Sequence, residues 1–165
     1  PTSQHTSHPG ISVTKVKSAE EMYHACQQFF PTSDITVLSA AVADYKPATV
    51  ADQKIKKNGE SLNLALTKTH DIADALGKQK QNGQLIVGFA LETEHAHEHA
   101  LKKLDNKNFD MIVLNSLQDD GAGFGYDTNK ISIIDRSKHI KTFDLKNKKE
   151  VAADIVSAII EKLHA

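Results

Sequence analysis

Short apolar segments alternate with amphipathic segments along this 165-residue chain, and this alternation most constrains its fold. Strands that are separated by helices have to be joined by crossovers, which favours a parallel sheet with helices packed on its faces. The predicted strands are residues 11–16, 34–39, 61–66, 84–90 and 111–114. The predicted helices are residues 18–30, opened by a Ser18–Glu21 capping box, 71–80 and 92–105.

The C-terminal part of the chain has a different pattern. Residues 131–134 and 139–143 flank a turn at Arg136 and Ser137, which predicts an antiparallel hairpin. A last helix follows, and its apolar stripe should cover one face of the sheet; the stripe consists of Val151, Ile155, Ala158, Ile159 and Leu163. We therefore predict an α/β fold: a three-layer, Rossmann-like, mostly parallel sheet with an antiparallel hairpin near the C-terminus.

Composition excludes several classes of protein. With 39% hydrophobic and 25% charged residues, residues 1–165 suit a single globular domain. A net charge of -1 argues against a nucleic-acid partner, and the single Cys26 excludes an internal disulfide framework or a multi-cysteine zinc site. There is neither an apolar run of about 20 residues nor a signal-peptide pattern. We expect a cytoplasmic protein without a membrane segment.

A basic loop follows the predicted strand 34–39. Small residues, Ala40 and Ala41 among them, would let a ligand approach the backbone, and they are followed by Asp44 and then by Lys54, Lys56 and Lys57. Ligands of open α/β sheets bind beyond the carboxyl ends of the strands, and lysines suit phosphate. The loop therefore predicts a phosphate site, and the alternative is a solvated basic loop.

Three other features have both a functional and an ordinary structural interpretation. The segment Thr69–Ile72 opens a helix, so Thr69 or Asp71 could cap it while its free N–H groups face an anion. Phe89 stands near the end of a strand, where it could pack against a base or in the core. Lys103 and Lys107 share a helix face, which suits phosphates or a solvated surface.

Two further motifs favour the ordinary interpretation. His95 and His99 are one helical turn apart, but the string HAHEH lacks the HExxH order of zinc hydrolases, so we assign no metal ligands to the chain. The glycine-rich loop 121–125 precedes a strand rather than a crossover helix, and the chain has no glycine fingerprint of dinucleotide-binding oxidoreductases.

Taken together, several motifs give the chain a family likeness. Residues 39–57, read as SAAVADYKPATVADQKIKK, closely resemble the nucleotide-binding segment of bacterial phosphopantothenoylcysteine synthetases, the ligases of coenzyme A synthesis. The other motifs follow in that family's order and spacing, so the resemblance covers nearly the whole chain. They are residues 69–72, 87–93, Lys103 with Lys107, 110–115 and 124–129.

The resemblance implies a reaction. It is the ligation of 4'-phosphopantothenate to L-cysteine through an acyl-cytidylate, with release of pyrophosphate, CTP as the nucleotide and Mg2+ bound to it. It also implies a homodimer, for which the hairpin 131–143 is a plausible edge. Lys54 is the implied catalytic residue. The implied nucleotide contacts are Ala40, Ala41, Asp44, Lys54, Thr69, His70, Asp71, Ile72, Phe89, Lys103 and Lys107.

The chain departs from the family in two places. His70 stands where the family commonly has Pro, which leaves backbone contacts intact and puts a side-chain role in doubt. A strand and an Asn-containing loop that precede this region in the family, the Asn being thought to stabilise the acyl-nucleotide, have no counterpart. We therefore expect an incomplete N-terminus, and a non-catalytic nucleotide- or phosphate-binding module is the alternative function.

Overall fold

The computed structural model describes residues 8–56, 61–92, 95–116 and 125–164. The chain forms two compact units. The first consists of Pro1–Phe29 and Val42–His70, and the second of Phe30–Ala41 and Asp71–Ala165.

The helices and strands are numbered in chain order. The helices are α1 (Ala19–Phe29), α2 (Ile72–Gln79), α3 (Ala96–Asn106) and α4 (Lys148–Leu163). The strands up to the middle of the chain are β1 (Ile35–Leu38), β2 (Tyr45–Pro47), β3 (Leu66–Lys68) and β4 (Leu85–Glu92). The later strands are β5 (Met111–Ser116), β6 (Thr128–Asn129), β7 (Ile131–Asp135), β8 (Ile140–Thr142) and β9 (Lys146–Asn147).

A five-stranded sheet forms the centre of the second unit, in the order β1-β4-β5-β7-β8. Strands β1, β4 and β5 are parallel, with Val37 opposite Val87 and Val87 opposite Met111. Strands β7 and β8 add antiparallel pairings, with Ile133 opposite Lys141. The predicted fold class and hairpin are confirmed.

Helices cover both faces of this sheet because its strands are apolar on both sides. One face packs against α4 in a cluster that includes Val87, Val113 and Ile155. The residues that alternate with these along the strands, such as Ile86 and Ile112, are fully buried on the other face, where α3 contacts β4 and β5. A capping box at Asn147 and Glu150 begins α4.

The first unit contains α1 and the antiparallel pair β2 and β3, in which Tyr45 lies opposite Lys68. The predicted start of α1 is confirmed, since the backbone N–H of Glu21 donates to Ser18 Oγ at 3.1 Å. The strands β2 and β3 are exposed throughout, and α1 has no fully buried residue.

Three predicted elements in the chain were wrong in part. Residues 11–16 form no strand, because no described neighbour supplies a hydrogen-bonding edge to the exposed Ile11 and Val13. Only the end of the predicted strand 61–66 pairs, since β3 begins at Leu66 and residues 61–65 are irregular. The helix predicted from Glu92 begins at Ala96, because β4 continues through Glu92 and pairs with β5.

Two predictions of burial were also wrong. The strand predicted as buried at 34–39 is β1, an edge strand of this sheet, so Ile35 and Val37 are 38% and 47% exposed. Leu163 was predicted to belong to the buried stripe of α4, but it lies in the last turn and is exposed, whereas Val151, Ile155, Ala158 and Ile159 are buried. The short pair β6 and β9 was not predicted.

Candidate nucleotide site

The carboxyl ends of the parallel strands carry several of the predicted site residues of the second unit. Ala40 and Ala41 follow β1 and are exposed. The last residue of β4 is Glu92, and Phe89 precedes it by three residues in the same strand. Because β1 and β4 are parallel, these residues lie at the edge where open α/β sheets bind ligands.

Lys103 is held at this edge by the carboxylate of Glu92. Its ammonium donates to Glu92 Oε1 at 2.6 Å, and His99 Nδ1 lies 3.3 Å from Oε2 of the same carboxylate. Burial alone would raise the pKa of Glu92, but the hydrogen bonds and charges of Lys103 and His99 outweigh it and lower the pKa below its ordinary value. Glu92 is therefore ionised at neutral pH.

Lys107 has a similar arrangement with Asp71. Lys107 is the C-cap of α3, and its ammonium donates to Asp71 Oδ2. Asp71 is the N-cap of α2, where its other carboxylate oxygen accepts from the backbone N–H of Asp74 at 2.9 Å. Burial works to raise the pKa of Asp71, yet Lys107 and the capping hydrogen bond lower it overall. Of the two candidate caps, Asp71 caps α2, and Ile72 is buried behind it.

Gly77 explains why α2 lies so close to Lys107. A Cβ atom at Gly77 would lie 2.1 Å from the backbone oxygen of Lys107, so only glycine permits this approach. The side-chain amide of Asn108 then donates to the backbone oxygen of Gly77 at 2.8 Å. No sequence pattern indicated this contact, because a glycine inside a short helix is usually unfavourable.

In the first unit, hydrogen bonds connect the loop before β2 to Thr69, which follows β3. The backbone N–H of Thr69 donates to the backbone oxygen of Asp44 at 2.9 Å, and Thr69 Oγ1 donates to that of Ala43 at 2.6 Å. Thr69 therefore fixes the backbone beside Asp44 rather than capping α2. The Asp44 side chain is exposed.

His70 has side-chain partners within the first unit. Its ring stacks on Tyr23 with centroids 4.5 Å apart, and its Nδ1 lies 3.2 Å from Glu20 Oε2. The same Glu20 oxygen accepts from the ammonium of Lys46 at 3.1 Å. Lys46 is the first cause of the lowered pKa of Glu20, and His70 adds to it. His70, which stands at the family's usual proline position, thus holds α1 against the end of this segment.

Lys54 is an exposed residue of the first unit, and the structure shows no ion pair for it among the residues described. Lys103 and Lys107 belong to the second unit. That these three cations serve one triphosphate therefore stays a prediction. Lys57 and most of the glycine-rich loop 121–125 lie outside the described residues, as do Thr93 and Phe124 of the family motifs.

Phe89 is half-buried and packs against the core cluster that α4 covers. This is the ordinary interpretation of the residue, and it leaves part of the ring accessible. Gly88 has a structural explanation as well, because a Cβ atom there would lie 2.1 Å from the ring of Phe109. The close approach at Gly88 is made by an aromatic side chain of the protein itself.

Neither a metal cluster nor a membrane span occurs in the described part of the chain. No three His, Cys, Asp or Glu side chains among those residues lie close enough together to hold a metal ion. In the same ranges, every helix is too short or too polar to cross a bilayer.

The fold and this edge define a Rossmann-like α/β protein in which the parallel strand β4 ends at a carboxylate that is paired with Lys103. The chain belongs to the family described as the DNA/pantothenate metabolism flavoprotein C-terminal domain, which matches residues 1–163. The resemblance to phosphopantothenoylcysteine synthetases is thereby confirmed.

Two curated relatives illustrate the match. The chain is 52% identical over 154 residues to a cysteine/cysteine sulfinic acid decarboxylase from an unknown prokaryotic organism, covering 93% of this chain and 43% of the relative. It is 41% identical over 144 residues to the coenzyme A biosynthesis bifunctional protein CoaBC of Bacillus subtilis, covering 87% of this chain and 35% of the relative. The chain thus spans less than half the length of each of these relatives.

A solved structure shares the fold. The crystal structure of the C-terminal domain of a coenzyme A biosynthesis bifunctional protein CoaBC superposes with a TM-score of 0.77 at 35% identity. The superposition covers 99% of this chain and 73% of that one. The sequence motifs named Lys103 and Lys107 as candidates, whereas they assigned no role to Glu92, which pairs with Lys103, or to Gly77, which lies against the backbone of Lys107.

Proposed function

We propose that this chain forms the nucleotide-binding part of a ligase that joins 4'-phosphopantothenate to L-cysteine in coenzyme A biosynthesis. The family match and the CoaBC relatives support the coenzyme A pathway. The observation that carries the proposal is the pair Lys103 and Lys107, which stand one turn apart at the end of α3 and have Glu92 and Asp71 as their carboxylate partners. Two fixed ammonium groups on one helix face suit a polyphosphate.

The proposed chemistry has two steps, because a carboxylate is a poor acyl donor toward an amine. The phosphopantothenate carboxylate attacks the α-phosphorus of CTP, the bond between the α-phosphorus and the bridging oxygen to the β-phosphate breaks, and pyrophosphate leaves. The cysteine amine then attacks the acyl carbon of the acyl-cytidylate. The carbon–oxygen bond to CMP breaks, the nitrogen loses a proton, and the amide is formed.

The residues of the chain would bind and neutralise the nucleotide. We propose that Lys54, Lys103 and Lys107 neutralise the negative charge that moves onto the leaving pyrophosphate. Asp44 would contact either the ribose or a cation at the nucleotide site. The base and sugar would be framed by Ala40, Ala41, Phe89 and the turn Thr69–Ile72. Mg2+ accompanies the triphosphate as part of the substrate complex, since it binds phosphate oxygens with few protein ligands.

A direct assay tests the proposal. The protein is incubated with CTP, Mg2+, phosphopantothenate and cysteine, and pyrophosphate and the amide product are measured, with ATP in a parallel reaction. We expect both products with CTP. Neither product with either nucleotide, from this chain or from a longer chain that contains it, would refute the ligase.

Lys54 provides the sharper variant. We expect Lys54→Gln to lower turnover by roughly 100-fold, the order found when one donor to a developing charge is removed, without changing the melting temperature. Lys56→Gln is the matched control, because Lys56 is an exposed lysine of the same segment. Equal effects of the two substitutions would contradict the assigned role of Lys54.

A non-catalytic nucleotide-binding module is the second candidate. The observation that favours it is coverage, since the chain spans 35% of the Bacillus subtilis relative. CTP binding is measured by calorimetry, and turnover is measured with and without the segment that precedes this region in the family. Binding without turnover, together with turnover once that segment is supplied, would show that catalysis requires the longer chain. Carbon dioxide release from cysteine is measured in parallel, because of the relative that is named a decarboxylase.

The homodimer is part of the same proposal. The antiparallel hairpin of β7 and β8 ends the sheet, and β8 is exposed throughout, so a second copy could pair with it. Sedimentation velocity would give the mass in solution, and a monomer at all accessible concentrations would remove the dimer from the proposal.

A further inference from the structure

We propose that Glu92 is an intramolecular counter-ion that occupies Lys103 until a phosphate group displaces it. The inference rests on the proposed function, because it takes Lys103 to be a phosphate ligand. It adds a positioning residue to which the sequence analysis assigned no role, and it makes the lysine exchange one anion for another during each reaction cycle.

The position of Glu92 supports this role. It is the last residue of β4, and its side chain is only 16% exposed, whereas that of Lys103 is 47% exposed. The carboxylate is thus anchored at the strand end while the ammonium remains accessible to a ligand. His99, one turn before Lys103 in α3, contacts the other oxygen of the same carboxylate at 3.3 Å. The carboxylate at the end of β4 therefore contacts two side chains of α3 and holds Lys103 in position.

A neighbouring ion pair shows what an ordinary surface pair looks like. Glu98 and Lys102 are 2.7 Å apart within α3, and their side chains are 61% and 63% exposed. Both residues lie in α3, one turn apart, so the pair does not connect the helix to another element. Neutralising Glu98 removes one negative charge that is paired with a lysine of α3, as neutralising Glu92 does, and so Glu98 is the matched control for Glu92.

Competition between anions fixes the sign of the effect. A polyphosphate that binds Lys103 has to displace Glu92 or share the ammonium with it, and the ionised carboxylate repels the incoming phosphate. Glu92→Gln keeps the size of the side chain and removes its charge. We therefore expect pyrophosphate to bind about two- to fivefold more tightly to this variant, the range that corresponds to one partly exposed ion pair.

The same exchange would assist release of the product. When pyrophosphate leaves, the carboxylate takes Lys103 back, so the lysine does not hold the leaving anion. In Glu92→Gln this competitor is gone, and inorganic pyrophosphate should become a stronger inhibitor by the same two- to fivefold factor.

The test is calorimetric titration of inorganic pyrophosphate with Mg2+ into the wild-type protein, Glu92→Gln and Glu98→Gln. We expect tighter binding by Glu92→Gln and a smaller change for Glu98→Gln. In a Lys103→Gln background the effect of Glu92→Gln should vanish, because the two residues act as a pair. Glu92→Asp should restore affinity toward the wild-type value.

Weaker or unchanged pyrophosphate binding by Glu92→Gln would overturn the inference, as would an equal gain from Glu98→Gln or persistence of the gain without Lys103. Melting temperatures show whether each variant is folded, and Glu92→Ala, which also removes the carboxylate, gives a second reading if Glu92→Gln does not fold. The ligase proposal is judged separately by amide formation. A wild-type protein that makes the amide while Glu92→Gln fails to gain affinity would refute this inference alone.

Discussion

Gly88 lies within the interior strand β4, and the ring of Phe109 lies directly against its Cα. A Cβ atom there would lie 2.1 Å from Cε2 of that ring, and both residues are buried. Protein interiors are close-packed, so the ring has no space into which it can move without cost. This glycine is therefore needed for packing, independently of any ligand.

We predict that Gly88→Ala destabilises the protein by about 1–3 kcal/mol, the usual cost of an overpacked core. The free energy of unfolding is measured by urea denaturation. Phe109→Leu in the Gly88→Ala background should recover part of the loss, because it reduces the ring that causes the clash. A Gly88→Ala variant as stable as the wild type would show that the strand and ring can move apart.

Asp71 makes the stability depend on pH. Its pKa is lowered in the folded state from an ordinary value of 3.8, in spite of burial, by Lys107 and the α2 cap. A lowered carboxyl pKa stabilises the fold above the unfolded-state pKa, and that contribution is lost as the pH falls through the folded-state pKa. The stabilisation should therefore be complete at neutral pH and disappear below about pH 4.

The substitution Asp71→Asn separates the two roles of this residue. Asparagine also caps helices, so the cap is retained while the charge toward Lys107 is lost. Because the side chain is 54% exposed, we expect a loss of at most about 1 kcal/mol at pH 7 and a shallower decline in acid. Urea unfolding at pH 7, 4 and 3 provides the measurement, and identical pH profiles for the two proteins would contradict the assignment.

At the scale of elements, α2 and the end of α3 meet at Gly77. An alanine inside a helix normally stabilises it by up to about 1 kcal/mol relative to glycine. Here the added Cβ would meet the backbone oxygen of Lys107 at 2.1 Å, and backbone cannot rotate away as a side chain can. Steric contact should therefore reverse the usual effect.

We predict that Gly77→Ala lowers the melting temperature and also weakens pyrophosphate binding, since it displaces Lys107. Gln79→Ala, an exposed substitution in the same helix, is the control and should leave both quantities nearly unchanged. Thermal denaturation and calorimetry measure the two effects. If Gly77→Ala instead raises the melting temperature, the higher helix propensity of alanine outweighs the steric contact, and α2 is not closely packed against Lys107.

The elements that could be predicted from sequence are those whose burial leaves a pattern. Strands β4 and β5 are continuous apolar runs because both of their faces are covered, and α4 shows its buried stripe. The alternation in residues 11–16 is equally clear, but alternation cannot show whether a partner strand is present. Glu92 was assigned to a helix because a polar residue at a strand end gives no periodic signal.

The predicted site divides in the same way. Lysines and the turn Thr69–Ile72 could be named as candidates from sequence because motifs identify residue types at fixed spacing. Pairings such as Lys107 with Asp71, separated by 36 positions, depend on how α2 and α3 pack, and no local spacing encodes them. The tertiary structure decides which carboxylate each lysine pairs with.

At the scale of the whole molecule, burial is distributed unevenly between the two units. All fully buried hydrophobic residues among those described, from Phe30 to Ile159, belong to the second unit. In the first unit, Val50 and Leu62 are 88% and 69% exposed, and β2 and β3 have no buried residue. Segments with little buried apolar surface open at low free energy, whereas core strands exchange only near global unfolding.

We therefore predict that amide hydrogens of β2 and β3 exchange much faster than those of β4 and β5, by about 100-fold or more if the opening free energies differ by about 3 kcal/mol. Hydrogen exchange followed by mass spectrometry resolves these peptides. Trypsin supplies an independent measurement, since it should cut after Lys54 or Lys56 before it cuts in α3, where Lys102 is equally basic and exposed. Because the exposed surface of the first unit is the physical reason, a ligand that covers that surface should slow both processes. Equal protection of β2 and β4 in the free protein would show that the first unit is stabilised by something other than burial of its own side chains.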